Sequence, residues 1–269
     1  MLNFKHKTAI FAAIVFFFII AFTFLFATTF DNRELVRVNI INQNRPPDSV
    51  YILGTDPGGR DMIPLLIVGA RNSFLIAFIV TIISTVVGAV VGIVSGFYGG
   101  MVDNIIMRVL DFLGMLPNIM IIIVLIALIP NYTPVTFSLI MAALSWPSTA
   151  RLVRLKTLQQ SAMDYVWASQ TMGTSSFLIM FREILPNVRS TIVVFSTLSL
   201  ANNMGLETAL TFLGFGLPAA TPSLGTLISH AAIFDALAGR PWQWLPAALL
   251  IFVMMLCINS IGQALNERA

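Results

Sequence analysis

Residues 72–98 read NSFLIAFIVTIISTVVGAVVGIVSGFY, an apolar run that carries no charged side chain. An α-helix rises 1.5 Å per residue, so about 20 such residues cross the roughly 30 Å of hydrocarbon in a bilayer. Within lipid the backbone must satisfy its own hydrogen bonds, which only a helix or a closed barrel achieves. The sequence lacks the short alternating segments that are typical of barrels, so this run predicts a transmembrane helix.

Five other apolar segments are also long enough to be candidate transmembrane helices. They lie at about residues 8–30, 104–129, 134–150, 188–214 and 243–264, and the segment at 134–150 is the shortest. The composition agrees, because 57% of the residues are hydrophobic and only 10% are charged, whereas soluble domains carry about 25% charged residues. The sequence therefore predicts an all-α polytopic membrane protein with about six transmembrane helices.

Polar stretches divide this array of predicted helices. Residues 1–30 form an N-terminal transmembrane helix, which we expect to be retained because its apolar run is longer than that of a signal peptide. An extracytoplasmic loop follows at 31–71, and a core at 72–269 contains a cytoplasmic loop at 151–187. Residues 214–242 are rich in Gly and Pro yet mostly apolar, which fits either a re-entrant segment or a folded cap loop.

The distribution of Lys and Arg indicates the orientation, because cytoplasmic segments are enriched in both. Most of the basic residues predicted outside lie in the 31–71 loop, including Arg33, and long loops cross the membrane with little regard to charge. We therefore expect a multi-pass protein of the inner cell membrane with both termini in the cytoplasm. The basic residues on the cytoplasmic side are then Lys5, Lys7, Arg108, Arg151, Arg154, Lys156, Arg182, Arg189 and Arg268.

Several classes of function are disfavoured by the sequence. Cys257 is the only cysteine and lies in an apolar run, which is typical of a packing residue, while His6 and His230 are far apart. These residues provide neither a metal site nor a membrane-embedded Ser-His pair. The chain has no G-x-x-x-x-G-K-[ST] phosphate loop and no basic stripe suited to nucleic acid. We therefore expect no catalytic residue, no metal and no cofactor in this chain.

The predicted cytoplasmic loop contains a short helix with one apolar face, because Tyr165, Ala168 and Met172 recur at helical spacing. Gly173 fits the end of this helix, and Pro186 fits the first turn of the next one. A short helix held between two spans is suited to dock into a groove on a soluble partner. The same pattern also fits a helix that lies on the membrane surface. Three arginines flank this helix in the sequence: Arg151, Arg154 and Arg182.

This loop resembles the EAA loop of ABC importer permeases, whose pattern is Glu-Ala-Ala, three residues, Gly, nine residues and Ile-x-Leu-Pro. Gly173 and Leu185-Pro186 match it, while Trp167-Ala168-Ser169 replaces Glu-Ala-Ala and Glu183 replaces the Ile. Further segments, in order from about residue 50 onward, resemble the C-type subunit of the dipeptide, oligopeptide and nickel permeases. They are Gly54-Thr55-Asp56, Gly59-Arg60-Asp61, Gly69-Ala70-Arg71, Gly96–Gly100 with Asp103 and Arg108, Ser145-Trp146-Pro147 with Ala150-Arg151, and Phe212-Leu213-Gly214 with Pro222-Ser223.

The resemblance implies a type I importer permease fold and a set of partner proteins. These are a homologous permease that completes the pathway, two cytoplasmic ATPases that bind ATP and Mg, and an extracytoplasmic binding protein. The expected substrate is a peptide, and the alternative substrate is nickel or a metal chelate. A weaker alternative for the function itself is an ion-coupled transporter or channel. The residues implied in ATPase coupling are Tyr165, Ala168, Ser169, Met172, Gly173, Leu185 and Pro186.

Polar residues inside predicted membrane helices are functional candidates because burying them in lipid is costly. Asn202, Asn203 and Glu207 lie in the fifth apolar segment, where they either line the pathway or pair with another helix. Residues 103–111 contain two Asp and one Arg, whose spacing predicts a local salt-bridged helix end. Trp146-Pro147 predicts a kink or an interfacial anchor. Trp242 and Trp244 are expected in the aromatic belt at the outer interface.

Overall fold

The computed structural model describes residues 2–30, 37–218 and 220–267, with the backbone alone for residues 2–7. Arg33, Arg268 and the side chains of Lys5, His6 and Lys7 therefore lie outside the described part. Within it the chain is helical, and its one extended pairing is an isolated bridge between Thr55 and Asp61. The helices are α1 (Leu2–Ala27), α2 (Met62–Tyr98), α3 (Gly100–Met115), α4 (Asn118–Leu128), α5 (Pro134–Ser161), α6 (Asp164–Thr171), α7 (Ser176–Ile179), α8 (Leu185–Phe212), α9 (Leu224–Ile228), α10 (Phe234–Gly239) and α11 (Leu245–Asn266).

Four helical stretches in the described residues are long and apolar enough to cross a membrane: Thr8–Ala27, Met62–Tyr98, Ser176–Phe212 and Leu245–Asn266. The pair α3 and α4 is bent by 79° and makes a fifth if it counts as one broken span. The sixth predicted segment, 134–150, belongs to α5, whose polar residues and Arg151 lower its hydropathy below that of the others. The all-α polytopic class is confirmed, although the described helices supply four or five clear spans instead of six.

The second span begins earlier than the sequence predicts. The side chain of Asp61 caps α2 by accepting a hydrogen bond from the Ile63 N–H at 3.0 Å, so the helix starts at Met62 and not at 72. Residues 62–71, assigned to the extracytoplasmic loop, are therefore helical. The charge of Arg71 concealed this start, because a hydropathy pattern places a boundary at a charge even where the helix continues through it.

Helix α2 lies at the centre of the fold and contributes to three hydrophobic clusters. Three glycines four residues apart let α5 approach its backbone closely, as in other membrane helix pairs. A Cβ atom added at Gly88, Gly92 or Gly96 would come within 2.5–2.7 Å of atoms of α5. The spacing of these glycines is visible in the sequence and predicts a helix-packing face, a signal that hydropathy alone does not reveal. Cys257 is buried in the first cluster, where it packs as a small residue.

Residues 220–243 fold as short helices that pack on the 37–61 loop and on the start of α2. The Gln243 amide donates to Asn44 Oδ1 at 2.8 Å and to the Thr55 carbonyl at 3.1 Å. The Leu224 N–H donates to Ser73 Oγ at 3.0 Å. These contacts favour the folded cap over the re-entrant segment. The indole nitrogens of Trp242 and Trp244 are buried without an acceptor among the described residues, while both side chains are half-buried, and their place in an aromatic belt stays a prediction.

Two ion pairs join α3 to α5. Asp103 binds the Arg154 guanidinium through both carboxylate oxygens and also accepts a hydrogen bond from Ser95, in a largely buried site. Asp111 pairs with Arg151 at 3.1 Å in a more exposed position. The aspartates of 103–111 therefore pair across two helices and not within one helix end, which corrects the prediction. In the structure Arg151 and Arg154 both pair with residues of α3, and not with the short helix that they flank in the sequence.

We expect the substitution Asp103→Asn to lower the stability of the protein by about 3 kcal/mol, because it leaves a buried arginine without its counter-charge. Thermal unfolding of the purified protein in detergent measures this loss. The matched control is Asp111→Asn, which breaks the exposed pair on the same two helices and should cost about 0–1 kcal/mol. Equal losses of stability in the two variants would show that burial of the Asp103–Arg154 pair contributes nothing to the stability of the protein.

Candidate functional site: the coupling segment and a polar cleft

Residues 162–187, here named the coupling segment, connect α5 to α8. Helix α6 ends in a tight turn in which the Gly173 N–H donates to the Gln170 carbonyl and the Thr174 N–H to the Ser169 carbonyl, both at 3.0 Å. Gly173 takes a φ of +84°, a left-handed conformation that glycine adopts without a steric cost. The sequence therefore places glycine where the chain must reverse between α6 and α7.

One face of the coupling segment is fixed to the membrane helices. Val166, Ile179 and Ile184 are fully buried and pack with Ile93 of α2 and Val153 of α5. Fully burying aliphatic side chains of this kind contributes about 1.5–3 kcal/mol each. The segment is therefore held firmly against α2, α5 and α8.

The opposite face of the coupling segment is apolar and exposed. Five large side chains on it are between 47% and 77% exposed, and the rings of two of them, Phe177 and Phe181, stack with centroids 6.1 Å apart. Exposed apolar side chains of this kind suit contact with a partner protein or with the membrane surface. Tyr165, Ala168, Met172 and Gly173 are exposed here, whereas Ser169 is half-buried. The five side chains are Met163, Trp167, Met172, Phe177 and Phe181.

Glu183 joins the elements of the coupling segment by hydrogen bonds. Ser169 Oγ donates to Glu183 Oε1 at 2.7 Å, and the Asn187 amide donates to the Glu183 carbonyl at 2.7 Å. The Tyr165 hydroxyl donates to Gln160 Oε1 at 2.8 Å and accepts from Asn187 at 3.3 Å. A phenol is protonated at neutral pH at its ordinary pKa, and burial raises the pKa of Tyr165 further. Sequence reasoning treated Glu183 only as a mismatch, yet it connects α6 to the start of α8.

A five-residue π-helical turn, Met180–Ile184, leads into α8. Pro186 explains it, because proline has no N–H to donate to the Arg182 carbonyl and its ring would collide with that carbonyl in a regular α-helix. Instead the Leu185 N–H donates to the Met180 carbonyl, five residues back. Leu185 is half-buried in this turn, whereas Pro186 and Arg182 are exposed, so Arg182 remains beside the apolar face.

Glu207 is fully buried in α8, where hydroxyl groups surround its carboxylate. Thr208 and Thr211 donate to it at 3.3 and 3.1 Å, and the hydroxyls of Ser73 and Ser223 also bind it. Among the residues that the structure describes, no basic side chain pairs with it. This arrangement joins α8 to α2 and to the cap, which favours the structural interpretation of Glu207 over a pathway role.

Asn202 and Asn203 of α8 differ in burial and hydrogen bonding, although both border the same cleft. Asn203 is buried and donates to Thr81 Oγ1 of α2 at 2.9 Å, so it connects two helices. Asn202 is exposed and faces a cleft of about 450 Å³ between α2, the α3–α4 break, α5 and α8. We name this the polar cleft after its polar lining side chains, which are Ser84, Asn118, Ser145, Ser148, Arg151, Ser199, Asn202 and Asn203.

Residues 88–269 match the family described as "Binding-protein-dependent transport system inner membrane component". The chain belongs to this family. The permease is 44% identical over 266 residues to the oligopeptide transport system permease protein OppC of Lactococcus lactis, covering 98% of this chain and 90% of that protein. It is 32% identical to OppC of Bacillus subtilis, covering 99% and 87% of the two chains. It is also 32% identical to the dipeptide permease DppC of Haemophilus influenzae, covering 98% and 90%.

Membership of this family indicates what kind of protein carries the coupling segment and the polar cleft. The permease is a multi-pass membrane protein and a transport component, not an enzyme, of a system that depends on a binding protein. The matched region begins within α2 and includes the coupling segment, the cap and every lining residue of the polar cleft except Ser84.

Proposed function

We propose that this permease forms one half of the translocation pathway of an ABC importer for peptides. The observation that carries the proposal is the coupling segment, because it is fixed to the membrane helices on one face and apolar and exposed on the other. A surface of this kind fits a groove on a soluble protein. The names of the oligopeptide and dipeptide relatives support a peptide substrate over nickel or a metal chelate.

The partner on the coupling segment is one of two cytoplasmic ATPases, which bind ATP and Mg. When ATP closes the ATPase dimer, the groove moves, and the segment moves α5 and α8 with it because Val166, Ile179 and Ile184 pack against their helices. Docking that differs between the two ATPase states then shifts the balance between inward-facing and outward-facing forms of the permease. Trp167 and Phe177 are the large side chains that we assign to the groove.

The remaining parts of the assembly follow from this orientation. Both termini and the coupling segment lie in the cytoplasm, while the 37–61 loop and the cap lie outside. A homologous permease completes the pathway, and an extracytoplasmic binding protein delivers the peptide to it.

Reconstitution of the complete importer in lipid vesicles tests this function. We expect ATP-dependent uptake of labelled peptides across a length series, with no uptake when the ATPases carry a substitution that prevents ATP hydrolysis. Nickel and a nickel chelate are run in parallel as competing substrates. Uptake of nickel without uptake of any peptide would overturn the substrate assignment, and uptake that persists without ATP hydrolysis would overturn the importer assignment.

A further inference from the structure

The polar cleft lies beside the break between α3 and α4. Leu116 and Pro117 adopt extended conformations there, and the two helices meet at 79°. The last carbonyls of α3 and the first N–H groups of α4 therefore lack the partners that a continuous helix would provide. Interrupted backbone at membrane depth is tolerated where it lines a cavity, and broken helices form substrate sites in other transporters.

Two amide side chains in the cleft have no hydrogen-bond partner in the described part of the chain. Among the residues that the structure describes, no group hydrogen-bonds the side chains of Asn118 or Asn202. Asn203, the neighbour of Asn202, makes such a bond to Thr81. A polar side chain in a membrane span is costly unless it faces a partner or a cavity, so these two amides are suited to a ligand that passes through the cleft.

The hydrogen-bonding groups of the cleft are predominantly neutral and are of both kinds. The amides of Asn118 and Asn202 donate and accept. The Ser145 and Ser148 hydroxyls donate to carbonyls of their own helix, at 2.8 and 3.0 Å, which leaves their oxygens free to accept. The one charged group, Arg151, donates to the Leu110 carbonyl at 2.7 Å and pairs with Asp111.

The position and size of the cleft fit a passing substrate. Asn202 lies about 15 Å along α8 from Phe212 and about 26 Å from Leu185, which places it within the span and not at either end. The volume of about 450 Å³ falls within the range of small-ligand sites, which is about 300–1,000 Å³.

We propose that the polar cleft binds the main chain of the peptide in transit, through the amides of Asn118 and Asn202. Every peptide bond except one to proline presents one N–H and one carbonyl, whatever the neighbouring side chains, and paired amide groups satisfy both. The cleft therefore accepts peptides of varied sequence. This inference rests on the proposed peptide-import function and deepens it by naming the part of the substrate that the permease binds.

Uptake by the reconstituted importer tests the cleft. The variants are Asn118→Leu and Asn202→Leu, with Ser196→Ala as the control, because the Ser196 hydroxyl bonds the Val193 carbonyl of its own helix and does not line the cleft. Each asparagine variant should lower the uptake of alanine-rich and phenylalanine-rich peptides by the same factor, about five- to tenfold. Peptides with N-methylated main-chain amides should already be poor substrates of the unmodified importer.

A crosslinking measurement guards against variants that merely misfold. In a Cys257→Ala background, Asn202→Cys should react with a bromoacetyl peptide during ATP-driven turnover, and Ser196→Cys should not. Unchanged uptake by both asparagine variants, or losses that depend on the peptide side chains, would overturn the cleft assignment while leaving peptide import intact. Failure of the unmodified importer to take up any peptide would overturn both proposals.

Discussion

Substitution of Gly173 by valine is expected to reduce ATP-dependent uptake to background while the permease still inserts and assembles with its sister subunit. Gly173 has a φ of +84°, and the space around its Cα is open, so valine meets no neighbour within this chain. The left-handed conformation costs a branched residue roughly 1–2 kcal/mol, which a folded membrane protein tolerates. In the proposed assembly, the isopropyl group instead projects from the exposed turn into the space assigned to the ATPase groove.

Gly214→Val is the matched control for this prediction. Gly214 also has a φ of +84° and open surroundings, but it lies at the opposite end of α8 from the coupling segment. The two variants therefore share the same backbone strain and differ only in location. We expect Gly214→Val to retain uptake and the co-purification of the ATPases, both of which Gly173→Val should lose. An equal loss of uptake in the two variants would show that backbone strain causes the loss, and not interference with docking of the ATPase.

Substitution of Gly92 by alanine is expected to separate α2 from α5 and to lower the stability of the permease by about 1–3 kcal/mol. The added methyl group would lie 2.7 Å from the Ala150 carbonyl oxygen and 3.0 Å from the Arg154 backbone nitrogen. Backbone atoms of a packed helix cannot move aside as a flexible side chain does, so the whole helix must shift. The midpoint of thermal unfolding in detergent, together with recovery of the assembled complex, measures the effect.

Gly205→Ala controls for the change of residue type, because Gly205 also lies inside a long helix. Its added methyl group would meet only the Met255 side chain, with the terminal methyl at 3.1 Å and the sulfur at 3.7 Å, and that side chain is flexible. Alanine favours helix by about 1 kcal/mol over glycine, so this variant should be neutral or stabilising. Destabilisation of the two variants to the same extent would show that close approach to α5 is not the reason for glycine at 92.

Hydropathy predicts the helical class because lipid allows few alternatives, but it does not predict where helices begin and end. The start of α2 at Met62 depends on the Asp61 cap, a single hydrogen bond that leaves no mark in a hydropathy average. The length of α5 depends on contacts with α2 and on the Asp103–Arg154 pair, which link residues distant in sequence. The turn after α6 was predicted correctly, because only glycine adopts the left-handed conformation there without a steric cost.

In the candidate site, too, sequence spacing predicts some features, whereas contacts between distant residues determine the others. The spacing of Tyr165, Ala168 and Met172 predicts a short helix with an apolar face, which agrees with the exposed side of α6. The buried side, with Val166, and the bond from Ser169 to Glu183 depend on tertiary packing. The polar cleft was not predicted, because five helices that are separate in the sequence converge to form it.

The glycine face of α2 has a consequence for the biosynthesis of the protein. Its complementary partner, α5, is complete only at Ser161, so a ribosome elongating at about 5–20 residues per second delivers that partner several seconds after Tyr98. During this interval lipid tails or a membrane chaperone must cover the groove along Gly88, Gly92 and Gly96. A nascent chain released before Ser161 therefore keeps a self-associating surface and becomes a substrate for membrane quality control.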